Sequence, residues 1–409
     1  MVRVGVIGGG TAGTEAAHEA ALTGADVTVI EPSDSHGPPW AYWPDLIRPD
    51  PEAGTTKCQW NPSVPPPERT ILATALRADP RRVTTDGGAR IEFDSVILCT
   101  GSAFSPPAFQ GSRKSGVYVL DTPWNYASLA GRCASSDSVV VGGEGYRGLV
   151  VAARLSSQGR AVRLLASRWR DGPPSSCMLG VIRRAASEGG VILSEGSLAR
   201  ALGQERVEAV IAEGELLKCD TLAYVPERVP KVIPTGAQLG PAGGILVDGF
   251  LRTSAEGVLA AGGCAELECR PGVSVPLDGD AGMSGRIAGS NSVGRNIPAR
   301  GAQIIRVVAF GLRFTSAWFG STASTHTWTR LDSVNHSWSD RSACTIAFER
   351  STGRVIGIQL VEPAAEGAVL PVMTAGPSLR SLAYGVLGST DISLLADTAR
   401  QALRVCPKY

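Results

Sequence analysis

The sequence has almost no excess charge, few histidines and no long apolar run. Its formal net charge is +1, so no strong field would attract nucleic acid or an anionic membrane. The four histidines include His326 and His336, whose spacing matches no metal-binding motif. No apolar stretch reaches the length of a transmembrane helix, and no secretory leader precedes residues 2–7. We therefore expect a soluble, cytoplasmic protein with reduced thiols, without a metal, a nucleic-acid partner or an integral membrane segment.

The composition is typical of a globular protein with more than one domain. The 409 residues exceed what one ordinary core supports, and 43% of them are hydrophobic against 19% charged. Glycine is abundant at 49 residues, and much of it lies where a strand turns into a helix. Because glycine lets the backbone approach phosphate groups closely, these turns are the first candidates for function.

The first glycine turn has the pattern of a dinucleotide-binding site. Gly8-Gly9-Gly10-Thr11-Ala12-Gly13 follows the apolar strand Val2–Ile7 and opens an alanine-rich helix. Its spaced glycines permit a tight turn, close approach to a pyrophosphate and close helix–strand packing. Glu31 ends the next strand 31 − 8 = 23 residues after Gly8, where a carboxylate can bind a ribose diol. The alternative is a glycine-rich turn with a surface glutamate.

A second glycine turn follows in the middle of the chain. Gly143-Glu144-Gly145-Tyr146-Arg147-Gly148 lies between the strand Ser138–Val141 and the helix Leu149–Ser157. The same count from its first glycine, 143 + 23 = 166, ends on Ala166 rather than on an acid, and Arg168 follows. An arginine without the acid favours the 2′-phosphate of NADPH over the ribose diol of NADH. The alternative is a solvated cationic loop.

Two turns of this kind in one chain resemble the FAD- and NAD(P)H-binding pyridine nucleotide-disulfide oxidoreductase superfamily. Phe93–Ser102 is similar to that family's strand and turn beside the FAD. Thr253–Gly263 is similar to its second FAD fingerprint, and Met283–Gly294 to the helix that follows. The resemblance implies an enzyme of α/β fold, with two Rossmann-like dinucleotide-binding domains and a C-terminal α+β interface domain.

The resemblance also implies domain boundaries and cofactor contacts. The FAD-binding domain is discontinuous, over residues 1–112 and 245–300, and it encloses an NAD(P)H-binding domain at 113–244, while residues 301–409 form the interface domain. FAD contacts are expected at Gly8, Gly10, Thr11, Ala12, Gly13, Glu31, Pro32, Leu76, Thr100, Gly101, Gly262 and Gly263. NAD(P)H contacts are expected at Gly143, Gly145, Tyr146, Arg147, Gly148 and Arg168.

The C-terminal part resembles the interface domain of NADH oxidases and coenzyme A-disulfide reductases. Phe310–Phe314 and Ser351–Leu360 carry this likeness, and Leu382-Ala383-Tyr384 resembles an element whose tyrosine approaches the partner subunit's active site. The resemblance implies a homodimer. For Tyr384 the alternative is an aromatic side chain that only packs in an amphipathic segment.

Three positions depart from the family pattern. Pro39 stands where the family has its nucleophilic cysteine, which excludes disulfide reduction through that position. Gly263 replaces the aspartate that binds the ribityl chain of FAD, and Val150 replaces a glutamate near the nicotinamide. Cys264 and Cys269 form a C-x-x-x-x-C pair away from the family's redox position, and we interpret them as small buried hydrophobes.

These observations favour an FAD-dependent NAD(P)H oxidoreductase that passes hydride from nicotinamide to flavin and on to a non-disulfide acceptor. The acceptor would be oxygen, a quinone, another small molecule or an electron-transfer partner, and aromatics at Trp40, Tyr42 and Trp43 would suit a flat one. Two alternatives stay open. One is a relative of sulfide:quinone reductase or type II NADH dehydrogenase, and the other is a degenerate, non-catalytic nucleotide-binding homologue. The sequence identifies no catalytic residue.

Overall fold

The structure is a computed structural model. It describes residues 1–32, 69–133, 135–169, 174–270, 273–276, 281–299, 302–319, 332–349, 352–363, 378–384 and 393–405. The helices are α1 (Thr11–Leu22), α2 (Pro123–Cys133), α3 (Gly145–Ser156), α4 (Ser176–Glu188), α5 (Ala281–Ser292), α6 (Leu379–Tyr384) and α7 (Ser393–Val405).

The strands fall into three consecutive groups along the chain. The first group is β1 (Arg3–Ile7), β2 (Asp26–Glu31), β3 (Thr70–Leu72), β4 (Ala75–Asp79), β5 (Arg82–Thr85), β6 (Arg90–Glu92), β7 (Ser95–Leu98), β8 (Ser102–Phe104) and β9 (Val117–Val119). The second group is β10 (Ser138–Glu144), β11 (Ala161–Arg168), β12 (Val191–Glu195), β13 (Leu198–Leu202), β14 (Ala209–Ala212), β15 (Glu215–Lys218), β16 (Thr221–Val225) and β17 (Arg228–Pro230). The third group is β18 (Ile245–Val247), β19 (Val258–Ala260), β20 (Ala265–Arg270), β21 (Val273–Pro276), β22 (Ala302–Ala309), β23 (Leu312–Phe319), β24 (Asp332–Ser339), β25 (Ser342–Phe348) and β26 (Val355–Pro363).

A parallel sheet in the order β19-β7-β1-β2-β3 forms the first unit. Its central strand β1 is buried from Val4 to Ile7, as a strand covered on both faces must be. Strand β19 joins this sheet although the whole second unit precedes it in the chain. Helices α1 and α5 pack against each other beside the sheet. The last part of the unit therefore completes a core that the first part begins.

The second unit repeats this architecture with a parallel sheet in the order β12-β11-β10-β16-β9. Helix α3 connects β10 to β11, so the chain forms the strand–turn–helix–strand element of a Rossmann-like fold. Two short segments, β8 and β17, pair antiparallel where the chain passes between the units. The expected α/β fold with two Rossmann-like units is confirmed.

The C-terminal part is an antiparallel sheet in the order β22-β23-β26-β25-β24, with α7 packed on β24 and β25. Its other contacts are with α3 and α4 of the second unit, and Phe314 and Val361 belong to the same buried core as Leu149. A polar contact fixes this arrangement, because Ser175 N donates to Gln359 Oε1 at 2.7 Å. The Oγ of the same serine lies 2.7 Å from Thr345 Oγ1. Buried polar groups satisfied in this way specify one docking geometry.

Residues 69–77 contain the strands β3 and β4, and residues 89–99 contain β6 and β7. The backbone passes from one sheet to another between β6 and β7, since Phe93 N donates to the carbonyl oxygen of Arg81 and Asp94 N donates to that of Arg3. Two expected element boundaries were wrong. The strand expected to end at Val141 continues to Glu144, since Gly142 and Gly143 still pair with β11 and β16. The second helix consequently begins earlier than expected, at Gly145.

Candidate nucleotide-binding sites

The first glycine turn is packed so tightly that two of its glycines accept no side chain. Gly8 has φ +103°, and a Cβ there would lie 2.3 Å from the carbonyl oxygen of Cys99. A Cβ on Gly13 would lie 1.8 Å from the carbonyl oxygen of Gly8. The chain thus brings the end of β1, the start of α1 and the end of β7 into direct backbone contact. The expected roles of these glycines in turn and packing geometry agree with this arrangement.

The third glycine of the turn has a different environment. Among the described residues, none has a heavy atom within 4 Å of a Cβ added to Gly10, and none caps the N-terminus of α1 with its side chain. Free N–H groups beside open space at a helix N-terminus are what a pyrophosphate requires. Thr11 and Ala12 continue the helix from this point, Thr11 exposed and Ala12 buried. The residues present therefore fit the phosphate part of FAD.

Glu31 lies at the end of β2, next to the turn. Its Oε2 accepts a hydrogen bond from Gly9 N at 2.5 Å, so the carboxylate lies at the edge of the open space. Pro32 follows and is exposed. Leu76, in β4, is 52% exposed. Binding of the adenosine ribose by Glu31 and of the adenine near Leu76 stay predictions.

The segment that resembles the second FAD fingerprint lies beside the start of α1. Gly262 and Gly263 lie in a short 3-10 turn directly after β19. Gly262 N donates to Ser284 Oγ at 3.1 Å, and a Cβ on Gly262 would lie 2.7 Å from Ala12 Cβ. Thr100 Oγ1 donates to the carbonyl oxygen of Lys231, which anchors the chain returning from the second unit. The backbone segments predicted to line FAD thus converge at the N-terminus of α1.

Helix α1 is held in place by glycines of α5. A Cβ on Gly285 would lie 2.2 Å from the carbonyl oxygen of Ala12, and one on Gly289 would lie 2.4 Å from that of Ala16. The two helices therefore touch along their backbones. An ion pair between Arg286 Nε and Glu15 Oε2 at 2.9 Å adds to this contact.

The described thiols of the first unit are inaccessible. Cys99 and Cys264 are buried, and burial raises the pKa of both thiols. Cys264 Sγ points to backbone carbonyl oxygens of Leu98 and Ala261 at 3.3 and 3.4 Å. The side chain of Cys269 lies outside the described residues, so the predicted lack of a redox role for the Cys264 and Cys269 pair stays a prediction.

The second glycine turn carries a carboxylate that the first does not have. Gly143 has φ +117°, and a Cβ there would lie 2.1 Å from the carbonyl oxygen of Val225. Glu144 caps α3 with its own side chain: Oε1 accepts from Tyr146 N at 2.9 Å, and Oε2 accepts from Arg147 N at 2.8 Å. Both the glutamate and the arginine are buried. The N–H groups that open α3 are therefore already paired within the chain.

Arg147 connects this cap to the passage between the two units. Its Nε lies 3.6 Å from Glu144 Oε2, and its Nη2 donates to the carbonyl oxygen of Pro226. Its guanidinium carbon lies 4.9 Å from the centroid of the Phe104 ring, which belongs to β8. Burial raises the pKa of Tyr126 to about 12, while the charge of Arg147 acts in the opposite direction. Arg147 thus makes structural contacts, and its predicted contact with NAD(P)H stays a prediction.

Trp169 covers the second turn from the side of β11. A Cβ on Gly145 would lie 2.4 Å from Trp169 Cε3, and the indole ring meets the Tyr146 ring edge-on with centroids 5.0 Å apart. Gly148 packs against Leu164 of β11. Arg168 ends β11, and its side chain lies outside what the structure describes. The expected nucleotide contacts of Gly143, Gly145, Tyr146, Gly148 and Arg168 stay predictions.

Several other expectations fall outside the described residues. They concern Pro39 and the aromatic cluster Trp40, Tyr42 and Trp43, all within residues 33–68, and the side chain of Tyr384. Sequence reasoning also missed the capping role of Glu144, because glutamate is not among the residue types that usually cap a helix N-terminus. No local sequence pattern predicted the contact of Trp169 with Gly145, because this contact depends on the strand order. Across the described residues, no helix combines the length and apolar character needed to span a membrane.

The chain is similar to flavoprotein reductases and oxidases in both sequence and fold. It is 29% identical over 293 residues to rhodocoxin reductase of Rhodococcus erythropolis, a match covering 68% of this chain and 66% of that protein. The structure superposes on an NAD-dependent persulfide reductase from A. fulgidus with a TM-score of 0.80 at 20% identity, over 99% of this chain and 84% of the other. An engineered NADPH oxidase derived from a Lactobacillus brevis enzyme gives 0.80 at 17% identity, with 99% of each chain covered.

The curated relatives are matched over only part of their length. The chain spans 66% of rhodocoxin reductase and 56% and 51% of the next two relatives. The family match itself extends over residues 2–276, from β1 through β21. It contains both glycine turns and the segments that converge on the N-terminus of α1. The chain therefore belongs to the pyridine nucleotide-disulphide oxidoreductase family, whose members are enzymes that bind FAD and depend on NAD(P)H.

Proposed function

We propose that this chain binds FAD at its first unit and NADPH at its second, and passes electrons to an acceptor that is not a disulfide. Candidate acceptors are oxygen, a quinone or an electron-transfer protein. The observation that supports a non-disulfide acceptor is the burial of the cysteines and the raised pKa of their thiols. Among the described residues every cysteine is either buried or has a raised thiol pKa, and the thiolate is the form that reacts with disulfides.

The first unit supports FAD binding through its open helix N-terminus. Gly10 leaves space for the pyrophosphate, the uncapped N–H groups of α1 face that space, and Glu31 lies beside it. When bound, FAD supplies an acceptor for a hydride from nicotinamide. The chain's own part is to hold the cofactor between α1, the end of β7 and the turn at Gly262. The replacement of an aspartate by Gly263 removes one polar contact and leaves these others in place.

The end of β11 supports a preference for NADPH. Ala166 is buried at the position where an acid would bind the ribose diol, and Arg168 follows two residues later. The engineered NADPH oxidase changed three consecutive residues from Asp-Ala-Met to Ala-Arg-Ser. At the end of β11 this chain has Ala166-Ser167-Arg168, the same three residue types in a different order. Removing a carboxylate and adding a guanidinium favours a 2′-phosphate by charge.

Similar proteins are named for acceptors of different chemistry. The Rhodococcus enzyme is named for rhodocoxin, the A. fulgidus enzyme for persulfide, and the engineered oxidase for forming water. One scaffold therefore serves several acceptors, which agrees with a function set by local residues rather than by the fold. We also propose a homodimer, from the likeness of the C-terminal sheet to interface domains.

An anaerobic titration of the FAD-loaded protein tests the acceptor class. We expect two electrons per FAD and no thiolate-to-flavin charge-transfer absorbance, since no described thiol is both exposed and acidic. Oxygen or a soluble quinone should reoxidise the protein, whereas oxidised glutathione and coenzyme A disulfide should not. Uptake of four electrons per FAD that falls to two in the C264S/C269S variant would show that this pair is a redox centre.

Steady-state kinetics with both nucleotides test the NADPH assignment. One charge-assisted contact is worth about 1.5–3 kcal/mol, so NADPH should be preferred by roughly tenfold or more. Arg168→Ala should abolish this preference and leave NADH kinetics nearly unchanged. Arg163→Ala, in the same strand, is the matched control. Equal use of both nucleotides by the unaltered protein would show that Arg168 is only solvated.

A further inference from the structure

The two glycine turns of this chain differ in how open they are. At the first turn, no described residue covers Gly10 or caps α1 with its side chain. At the second, the corresponding glycine, Gly145, is covered by the Trp169 ring, and Glu144 occupies the place that Gly9 has in the first turn. The first glycines of the two turns agree, because Gly8 and Gly143 both have φ above +100° and a Cβ on either would strike a backbone carbonyl oxygen, of Cys99 or Val225.

Glu144 competes directly with a nucleotide pyrophosphate. Its two carboxylate oxygens accept from the N–H groups of Tyr146 and Arg147, which belong to the first turn of α3. Those N–H groups are the ones that a helix N-terminus offers to an anion. A pyrophosphate brought to this turn would lose two hydrogen-bond donors and would meet a buried negative charge. Nucleotide binding therefore requires the carboxylate to leave.

Trp169 adds a steric element to the same site. Its six-membered ring lies against Gly145, where a missing Cβ would otherwise let a pyrophosphate approach the backbone. The ring is buried, and Nε1 has no hydrogen-bond partner among the described residues. Among the described residues only packing contacts hold the indole ring. Movement of the ring would therefore break no hydrogen bond at Nε1.

Arg147 links the closed turn to the connection between the units. Its guanidinium contacts Glu144, the carbonyl oxygen of Pro226 and the Phe104 ring. When Glu144 leaves, the positive charge of Arg147 stays in the same position, because Pro226 and Phe104 still hold it. The turn would then present a cation and two free N–H groups to an incoming anion.

We propose that Glu144 and Trp169 set the nucleotide affinity of this site, because both must move away from α3 before NADPH can bind. This inference rests on the proposed function of the second unit. When only a fraction of a protein has the binding-competent conformation, the apparent dissociation constant of its ligand is the intrinsic constant divided by that fraction. The predicted consequence is that Glu144→Gly, which gives the second turn the three consecutive glycines of the first, strengthens nucleotide binding.

Calorimetric titration of the FAD-loaded protein with NADP⁺ tests this without turnover. A side-chain cap is worth about 0.5–2 kcal/mol, which corresponds to roughly two- to thirtyfold in the dissociation constant. We expect Glu144→Gly to tighten NADP⁺ binding within that range and Glu144→Gln to have a smaller effect in the same direction. Trp169→Leu should also tighten binding. Glu215→Gln, at an exposed glutamate in β15 of the same unit, should change nothing.

A second ligand separates this effect from general changes in the site. Adenosine 2′-monophosphate has no pyrophosphate, so its affinity should be the same in all these variants. NADP⁺ binding to the unaltered protein that is equally tight or tighter than in Glu144→Gly and Trp169→Leu would overturn this inference and leave the proposed function intact. Failure of NADP⁺ and NAD⁺ to bind any of the proteins, with FAD still bound, would contradict the proposed function of the second unit as well.

Discussion

Replacing Gly10 by alanine should separate cofactor binding from folding. The residue has φ −70° and ψ −170°, which alanine adopts without strain, and the added Cβ would meet no atom of the described residues within 4 Å. A compatible glycine-to-alanine change stabilises a protein by about 0.4–1 kcal/mol, because it restricts the unfolded chain. The folded, FAD-free protein should therefore melt at the same temperature or slightly higher.

The same methyl group should weaken FAD binding. It occupies space at the N-terminus of α1 that we assign to the pyrophosphate, so at least one charge-assisted contact is displaced. Each such contact is worth about 1.5–3 kcal/mol, or roughly ten- to a hundredfold in affinity. Quenching of flavin fluorescence measures this loss directly. Thermal denaturation should show it too, because a ligand at a hundred times its dissociation constant raises the stability by about 2.7 kcal/mol.

Gly13→Ala provides the matched contrast. Its Cβ would lie 1.8 Å from the carbonyl oxygen of Gly8, so this variant should lose stability even without FAD. Gly10→Ala should therefore fold normally but bind FAD weakly, whereas Gly13→Ala should already be destabilised without FAD. If Gly10→Ala binds FAD as tightly as the unaltered protein, the pyrophosphate does not lie above Gly10.

Three further outcomes follow from the structure. Glu31→Ala should weaken FAD binding by an amount that fluorescence quenching detects, and an unchanged affinity would remove Glu31 from the site. Burial raises the pKa of Cys133 to about 11 and of Cys219 and Cys344 to about 12, so these neutral thiols stabilise the fold below about pH 9. Urea unfolding under reducing conditions should therefore show stability falling from pH 9 towards pH 12, and a flat profile would contradict this. Gln359→Leu should leave Ser175 N without its acceptor and lower the free energy of unfolding by about 1–3 kcal/mol, whereas an unchanged urea midpoint would show that water replaces the amide.

The sequence predicted those parts of the fold that depend on the backbone conformation of a few neighbouring residues. Gly8, Gly13 and Gly143 lie in turns where a side chain would strike the neighbouring backbone, so the pattern and the geometry correspond. The strand predicted to end at Val141 continues to Glu144, because Gly142 and Gly143 keep their pairing with β11 and β16. Glycine is unfavourable in strands, so the composition of this segment predicted a turn there.

Contacts between distant segments were beyond the reach of local patterns. The docking of Ser175 on Gln359 joins residues that are 184 positions apart. The cover of Gly145 by Trp169 likewise depends on the pairing of β10 with β11, which places the end of one strand beside the turn of the other. Such contacts need the strand order, and periodicity does not supply it. This is also why the self-capped state of the second turn was not foreseen.

The late arrival of β19 and α5 has a consequence for how the protein is made. A ribosome produces β1, α1 and β7 long before the segments that complete their sheet and cover α1. The second unit has the strands of its parallel sheet within one continuous stretch, β9 to β16, so this sheet can form while the first sheet is still incomplete. Part of its core is covered only later, when β22, β23 and β26 of the C-terminal sheet are made. During synthesis the small-residue side of α1 that later receives Gly285 and Gly289 stays uncovered. We expect nascent chains that stop before residue 258 to be cleaved more slowly in the second sheet than in the first unit, which still lacks β19 and α5.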